Sequence, residues 1–152
     1  RCHDRAAKAA AGPRRRREDE KAMAVDLQRI RRYRKQSYQY LDRAFDEMRR
    51  GCWSRTEDLL WGSLTLAVKG VALSRGEQIG DQEAVRGYAA QLGREHRDRR
   101  IREAFIQLST FADWVEQVRQ LRYMADRLVP VLEDICSAVE RLWGMVPEGD
   151  PV

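Results

Sequence analysis

One cluster of ionisable residues has the types and spacing needed for chemistry on phosphates. His96 lies among four arginines, which are Arg94, Arg97, Arg99 and Arg100. A histidine can exchange a proton with the reacting groups, and an arginine can stabilise charge that develops on a phosphate. These roles together indicate a ribonuclease-like or phosphate-binding site. The alternative, which we favour, is a solvent-exposed turn in which Glu95 and Asp98 supply the counter-charges.

A second concentration of charge lies in residues 1–22, which contain eight basic and four acidic residues. Four consecutive arginines, Arg14, Arg15, Arg16 and Arg17, could bind the phosphates of a nucleic acid. Because the segment has no apolar periodicity, it cannot bury enough surface to offset its ordering entropy. We therefore predict a disordered basic extension, either a nucleic-acid-binding arm or an inert solvated segment. It could also precede a natural start at Met23.

The charge of the remaining chain gives little support to nucleic-acid binding. The whole sequence of 152 residues has 29 Lys+Arg and 24 Asp+Glu, a net charge of +5. Residues 23–152 hold 21 of those basic and 20 of those acidic residues, so their net charge is only +1. Nearly all the excess positive charge therefore belongs to the predicted extension.

The sequence predicts neither a metal site nor a cofactor. It has no HExxH pattern, no paired cysteines, no glycine-rich phosphate loop and no set of residues for a Ser-His-Asp triad. The acidic pairs Glu57-Asp58 and Glu133-Asp134 lack the Glu-x-x-His partners of a di-iron bundle, and we expect them to be solvated. Three cysteines without CxxC spacing favour a cytoplasmic protein, and Cys52 and Cys136 are predicted to be buried or half-buried. No apolar run approaches the ~18–20 residues of a transmembrane helix.

Helical periodicity extends from Met23 almost to the end of the chain. Apolar residues recur every three or four positions, the spacing of helices that bury one face. Further helix starts are predicted at Ser54, whose capping box is completed by Glu57, and at Asp81, while Pro130 interrupts the last stretch. Glycines typical of helix ends follow three of the stripes, namely Gly51, Gly76 and Gly93.

These elements predict an all-α, up-and-down helical bundle of four to five helices over residues 23–144, followed by a short tail over 145–152. The second helix contains Gly62 and Gly70, each of which costs ~1 kcal/mol relative to alanine. A close approach by a neighbouring backbone would account for both, which indicates a central helix. We predict packing or subunit contacts at four residues of this helix, Trp61, Gly62, Ala67 and Gly70.

The same helix carries a family resemblance. The segment from Leu59 to Ala72, which reads LLWGSLTLAVKGVA and is followed by Arg75-Gly76, resembles the archaeal PaREP family. The resemblance covers about residues 30–143, and PaREP proteins look related to HEPN domains. It implies an up-and-down, HEPN-like bundle that forms a homodimer. HEPN domains act as metal-independent ribonucleases in toxin–antitoxin or defence systems, or as partners of small nucleotidyltransferases.

The resemblance does not extend to the HEPN catalytic motif, in which four to six residues separate an arginine from a histidine. The nearest arginines before His96 are Arg94, with one intervening residue, and Arg86, with nine. We therefore expect a non-catalytic, homodimeric interaction module with a possible nucleotidyltransferase or antitoxin partner. The alternatives are a ribonuclease that uses His96 and its neighbouring arginines, and a nucleic-acid-binding protein that uses its basic arm.

Overall fold

The structure is a computed structural model that describes residues 2–120 and 126–147. Those residues form an all-α bundle with no strand among them, as the periodicity predicted. Residues 148–152 of the predicted tail lie outside the described part. The helices are α1 (Cys2–Arg49), α2 (Trp53–Ser74), α3 (Gln82–Glu95), α4 (Arg99–Arg102), α5 (Ala104–Gln120) and α6 (Leu128–Gly144).

Helix α1 starts much earlier than the predicted start at Met23. It runs back to Cys2, so residues 2–22 are helical where a disordered extension was expected. Residues 13–21 are nevertheless exposed on every side, and the buried face of α1 begins at Ile30. Apolar periodicity detects only the packed part of a helix. The Arg, Glu and Lys residues at 14–21 have high helix propensity without a buried face.

Helix α2 is central, as its glycines indicated, because it packs against α1, α3, α5 and α6. Its buried face includes most of the residues from Leu60 to Leu73. The cause of the two glycines differs from the prediction, since aromatic rings and not backbones approach them. A Cβ atom on Gly62 would lie 2.9 Å from the ring of Tyr40, and one on Gly70 would overlap the indole of Trp143.

A hydrogen-bonded group fixes the crossing of α1, α2 and α6. The buried indole of Trp143 donates from Nε1 to Ser37 Oγ at 3.0 Å, and Ser63 Oγ donates to the Ser37 carbonyl at 2.8 Å. Arg34 donates from Nη2 to the Trp143 carbonyl at 2.9 Å. Because each buried polar group has a partner, these contacts avoid the ~1–3 kcal/mol cost of an unsatisfied group.

The helix ends agree with the predictions at some residues and differ at others. Gly51 and Gly76 have positive φ angles of 75° and 76° just past α1 and α2, as predicted. Asp81 caps α3 by accepting a hydrogen bond from the Ala84 N–H at 2.7 Å, which confirms that start. The predicted helix start with Ser54 as the capping residue is wrong, because α2 begins at Trp53 with Cys52 as its N-cap residue.

Gly93 does not end α3, which continues to Glu95. Its role is close packing, since a Cβ atom there would overlap the backbone of Arg102 at the end of α4. The predicted interruption at Pro130 is wrong, because α6 runs from Leu128 through this proline, which lies in its first turn, where a missing N–H costs no helical hydrogen bond.

Candidate functional site

His96 is the C-cap residue of α3 and is exposed. Its Nε2 atom lies 3.1 Å from Arg75 Nη2, while Arg75 Nη1 lies 3.4 Å from Glu95 Oε2. Gln91 donates a hydrogen bond to Glu95 Oε1 at 2.9 Å. The hydrogen bond from Gln91 and the nearby Arg75 hold the pKa of Glu95 below its ordinary value. The imidazole therefore belongs to an exposed hydrogen-bonded network in which the carboxylate stays ionised.

The neighbouring arginines mostly contact structural partners. Arg99 Nε donates to Glu103 Oε2 at 3.0 Å, and Arg100 Nη1 donates to Ser137 Oγ at 2.8 Å. Arg97 has a positive φ of 51° in the turn between α3 and α4, and both it and Arg94 are exposed. Arg100 therefore fastens α4 to α6, and the hydrogen-bond partners of Arg99 and Arg100 are residues other than His96.

Asp98 is the centre of that structural network. It caps α4 through hydrogen bonds from the Arg100 and Ile101 N–H groups, and Arg141 Nη1 donates to Asp98 Oδ2 at 2.7 Å. Partial burial raises the pKa of Asp98, but the hydrogen bonds from Arg141 and Ile101 outweigh it, so this pKa lies below its ordinary value. The predicted counter-charge to the arginines is thus also a helix cap and an inter-helix contact.

The four arginines of the predicted nucleic-acid arm lie on one exposed turn of α1. Arg14, Arg15, Arg16 and Arg17 are consecutive, so at 3.6 residues per turn they surround the helix and do not line one side of it. Three acidic residues follow directly at 18–20. The geometry therefore gives no single basic face that could follow a phosphate backbone.

A groove of about 460 Å³ lies between α1, α2 and α3, and we call it the α1–α2–α3 groove. Trp61 forms part of it, held between Phe105, whose ring centroid is 5.4 Å away, and the guanidinium of Arg86, 5.0 Å from the indole centroid. Gln36 donates a hydrogen bond to the Tyr40 hydroxyl at 2.8 Å. The residues that line the groove are Gln36, Tyr40, Trp61, Gly62, Thr65, Leu66, Gln82 and Arg86.

Two of the predicted packing or interface residues line this groove and two do not. Trp61 and Gly62 are half-buried at its surface. Ala67 and Gly70 are buried inside the chain, so they can pack against other helices but cannot contact another subunit. The helical pattern in the sequence identified the helix correctly without separating its inner face from its outer face.

A pocket of about 300 Å³ between α1, α2 and the loop after α2 was not predicted from the sequence; we call it the Lys69 pocket. Lys69 is half-buried there in the middle of a run of apolar residues. A lysine interrupting such a run is the signal that could have identified the pocket. The other lining residues are Arg29, Tyr33, Leu73, Glu77, Gln78, Ile79 and Gly80.

Cys52 and Cys136 differ in environment. Cys52 is exposed at the start of α2, which corrects the expectation of a buried or half-buried thiol. Cys136 is half-buried, as predicted, and its Sγ lies 3.8 Å from Glu140 Oε1. Burial, with the nearby Glu140 carboxylate as the next cause, raises the pKa of Cys136 to about 11. A thiol with that pKa stays protonated near neutral pH and is a poor nucleophile.

Within residues 2–120 and 126–147, no group of three or more His, Cys, Asp or Glu side chains is arranged to hold a metal ion. In the same part of the chain, every helix is too short or too polar to cross a membrane. No family model matches the chain, and the searches of curated proteins and of solved structures give no significant match.

Proposed function

We propose that the protein is a non-catalytic helical interaction module, HEPN-like and of the PaREP type, that forms a homodimer through the α1–α2–α3 groove. The composition of the groove is the observation that carries this proposal. Of its eight lining residues only Arg86 is charged, although 35% of the chain is charged. Depletion of charge together with Tyr, Trp and Arg is typical of the centre of a protein interface.

The groove also has a rigid aromatic anchor. Trp61 is fixed by Phe105 on the inside and by Arg86 on the outside, so little side-chain entropy would be lost when a partner covers it. Gly62 leaves the ring of Tyr40 in contact with α2, which keeps this part of the surface flat. Rigid aromatic side chains beside a flat backbone support a role in docking another helix.

A second copy of the chain is the partner that this surface fits. A two-fold dimer presents the same patch on both subunits, so charge at its centre would be opposed by like charge. The uncharged centre of the groove meets this requirement. Gln82 and Arg86 on the exposed side of α3 can form the polar rim that surrounds such an interface.

The surroundings of His96 support a role without catalysis. Its Nε2 is within hydrogen-bond distance of Arg75, its neighbouring arginines Arg99 and Arg100 bind Glu103 and Ser137, and the ring is exposed. A general acid or base must lie within hydrogen-bond reach of the proton it transfers, and the group beside His96 Nε2 is the guanidinium of Arg75. A nucleotidyltransferase or antitoxin partner, which the family resemblance implies, stays a prediction.

The oligomeric state of a groove variant tests the proposal. Thr65→Arg puts a charge at the centre of the groove, where two copies would oppose each other in a two-fold dimer. We expect dimer dissociation to increase by roughly 100-fold, because like charges across an interface cost several kcal/mol. Sedimentation velocity over a range of protein concentrations measures this change.

Thr110→Arg is the matched control, because Thr110 is also half-buried on a helix but lies on α5 outside the groove. We expect its dissociation constant to stay within about twofold of the wild-type value. Circular dichroism of both variants would establish that they fold. A wild-type chain that is monomeric at high concentration, or equal effects of the two substitutions, would contradict the proposal.

A further inference from the structure

We propose that the Lys69 pocket binds a small organic molecule that carries a phosphate group. The pocket has about 300 Å³ of space between α1, α2 and the loop over residues 77–80. It shares no lining residue with the α1–α2–α3 groove, so ligand binding and dimer formation can be tested separately.

The position of Lys69 is the first reason. Every other residue from Ala67 to Leu73 is buried, and Lys69 itself is half-buried. Within the described part of the chain, its ammonium group forms neither an ion pair nor a hydrogen bond. Partial removal of a charge from water is costly unless an opposite charge or a hydrogen-bond acceptor compensates for it. An anion in the adjoining pocket would provide that compensation.

The facing helix contributes a second cation. Arg29 and Tyr33 are one turn apart on α1, so both side chains lie on the side that lines the pocket. Arg29 is half-buried and, among the described residues, also lacks an ion pair and a hydrogen bond. Two cations from different helices, neither with an ion pair or hydrogen bond among the described residues, therefore line one cavity together with a tyrosine.

The remaining lining indicates the kind of anion. Glu77 supplies one negative charge against the two cations, and Gln78 adds an amide. Leu73 and Ile79 provide an apolar part that a free inorganic ion would not use. An arginine fork and a lysine ammonium are both suited to a phosphate, which carries up to two charges near neutral pH and several acceptor oxygens. A single carboxylate carries only one charge.

The test uses pyrophosphate as the probe and the full chain as the protein. Isothermal titration calorimetry at low salt is expected to give saturable binding to the wild type. Lys69→Met removes the charge but keeps most of the side-chain volume, so we expect binding to weaken by at least about tenfold. Arg29→Met is expected to act in the same direction, which supplies a second variant if the first one fails to fold.

Matched controls separate this site from a general attraction of anions to a basic chain. Lys35→Met and Arg32→Met each remove an exposed cation from α1 and do not alter the pocket. We expect each to change pyrophosphate affinity by less than about twofold. Equal weakening by Lys35→Met and Lys69→Met, or no saturable binding by the wild type, would overturn the proposal.

A carboxylate probe distinguishes the two classes of anion. Acetate, which has a single carboxylate, is expected to bind more weakly than pyrophosphate and to depend less on Lys69. Tighter binding of acetate would overturn the assignment to phosphate. Amide chemical shifts measured during the pyrophosphate titration should change most at residues 77–80, and changes concentrated elsewhere would place the anion outside this pocket.

Discussion

The cations near His96 and those near Lys69 have opposite surroundings. Around His96, Arg75, Arg99, Arg100 and Arg141 each have a carboxylate, hydroxyl or imidazole partner. In the Lys69 pocket, two half-buried cations have no such partner among the described residues. The denser cluster in the sequence is therefore a set of structural contacts. The sparser one, in which two half-buried cations form no ion pair among the described residues, is the better candidate for a ligand site.

Disturbing the close packing of α3 against α4 beside His96 should have the largest effect on the stability of the protein. Gly93→Ala would bring a Cβ atom into the backbone of Arg102, so α3 and α4 would have to separate. We expect the free energy of unfolding to fall by roughly 1–3 kcal/mol. Chemical denaturation measured by circular dichroism gives this value.

Gly87→Ala is the control for helix propensity, because Gly87 lies on the same helix with nothing within 4 Å of an added Cβ atom. That substitution is expected to stabilise the protein by roughly 0.5–1 kcal/mol. If both variants were stabilised equally, the close contact between Gly93 and the backbone of Arg102 would not make a side chain at residue 93 destabilising.

Removing the central carboxylate of the same network should have a smaller effect. Asp98→Asn keeps a side chain that can cap α4 but removes the charged contact with Arg141, for which we expect a loss of about 1 kcal/mol at neutral pH. The folded-state pKa of Asp98 is lowered, so its contribution is present above the unfolded pKa and is lost as the pH falls through the folded pKa. The difference between wild type and variant should therefore shrink below about pH 4.

Thermal and chemical unfolding at several pH values would measure this dependence. A difference that stayed constant from pH 7 to pH 3 would show that ionisation of Asp98 does not stabilise the bundle. The interpretation that Arg141 stabilises the fold through its contact with Asp98 would then be wrong.

The smallest effect is expected from His96→Ala. The side chain is exposed and its main contact is Arg75, so stability should change by less than about 0.5 kcal/mol. We expect no RNA cleavage by the purified wild type and no change in pyrophosphate affinity in the variant. Gel assays with labelled RNA and calorimetry give the two measurements. RNA cleavage that disappears in the variant would refute the non-catalytic proposal and favour a ribonuclease.

Local rules in the sequence were enough to predict the fold class and several helix ends. Asp81, Gly51 and Gly76 act through neighbouring backbone groups, so their roles can be read without knowledge of the tertiary structure. Gly93 shows the limit of such rules. A glycine near a helix end resembles a stop signal, but here its function depends on Arg102, which belongs to another helix.

The candidate sites were harder to predict because their partners are distant in sequence. Arg141 binds Asp98 across 43 positions, and the Lys69 pocket combines residues from two helices and a loop. The periodicity argument assigned Lys69 to a helix and did not consider that the residues around this charge are buried. Burial of that charge becomes apparent only when Arg29 and Tyr33 are packed opposite it.

The contact between Gly70 and Trp143 has a consequence for how this sequence can vary. The indole of Trp143 occupies the space of a Cβ atom on residue 70. The indole N–H also donates to Ser37, and the main-chain carbonyl of Trp143 accepts a hydrogen bond from Arg34. A larger residue at position 70 is therefore compatible only with a smaller ring at position 143. We expect substitutions at positions 70 and 143 to occur together in homologous chains. The pair would then be a signature of shared ancestry even where the surface has diverged.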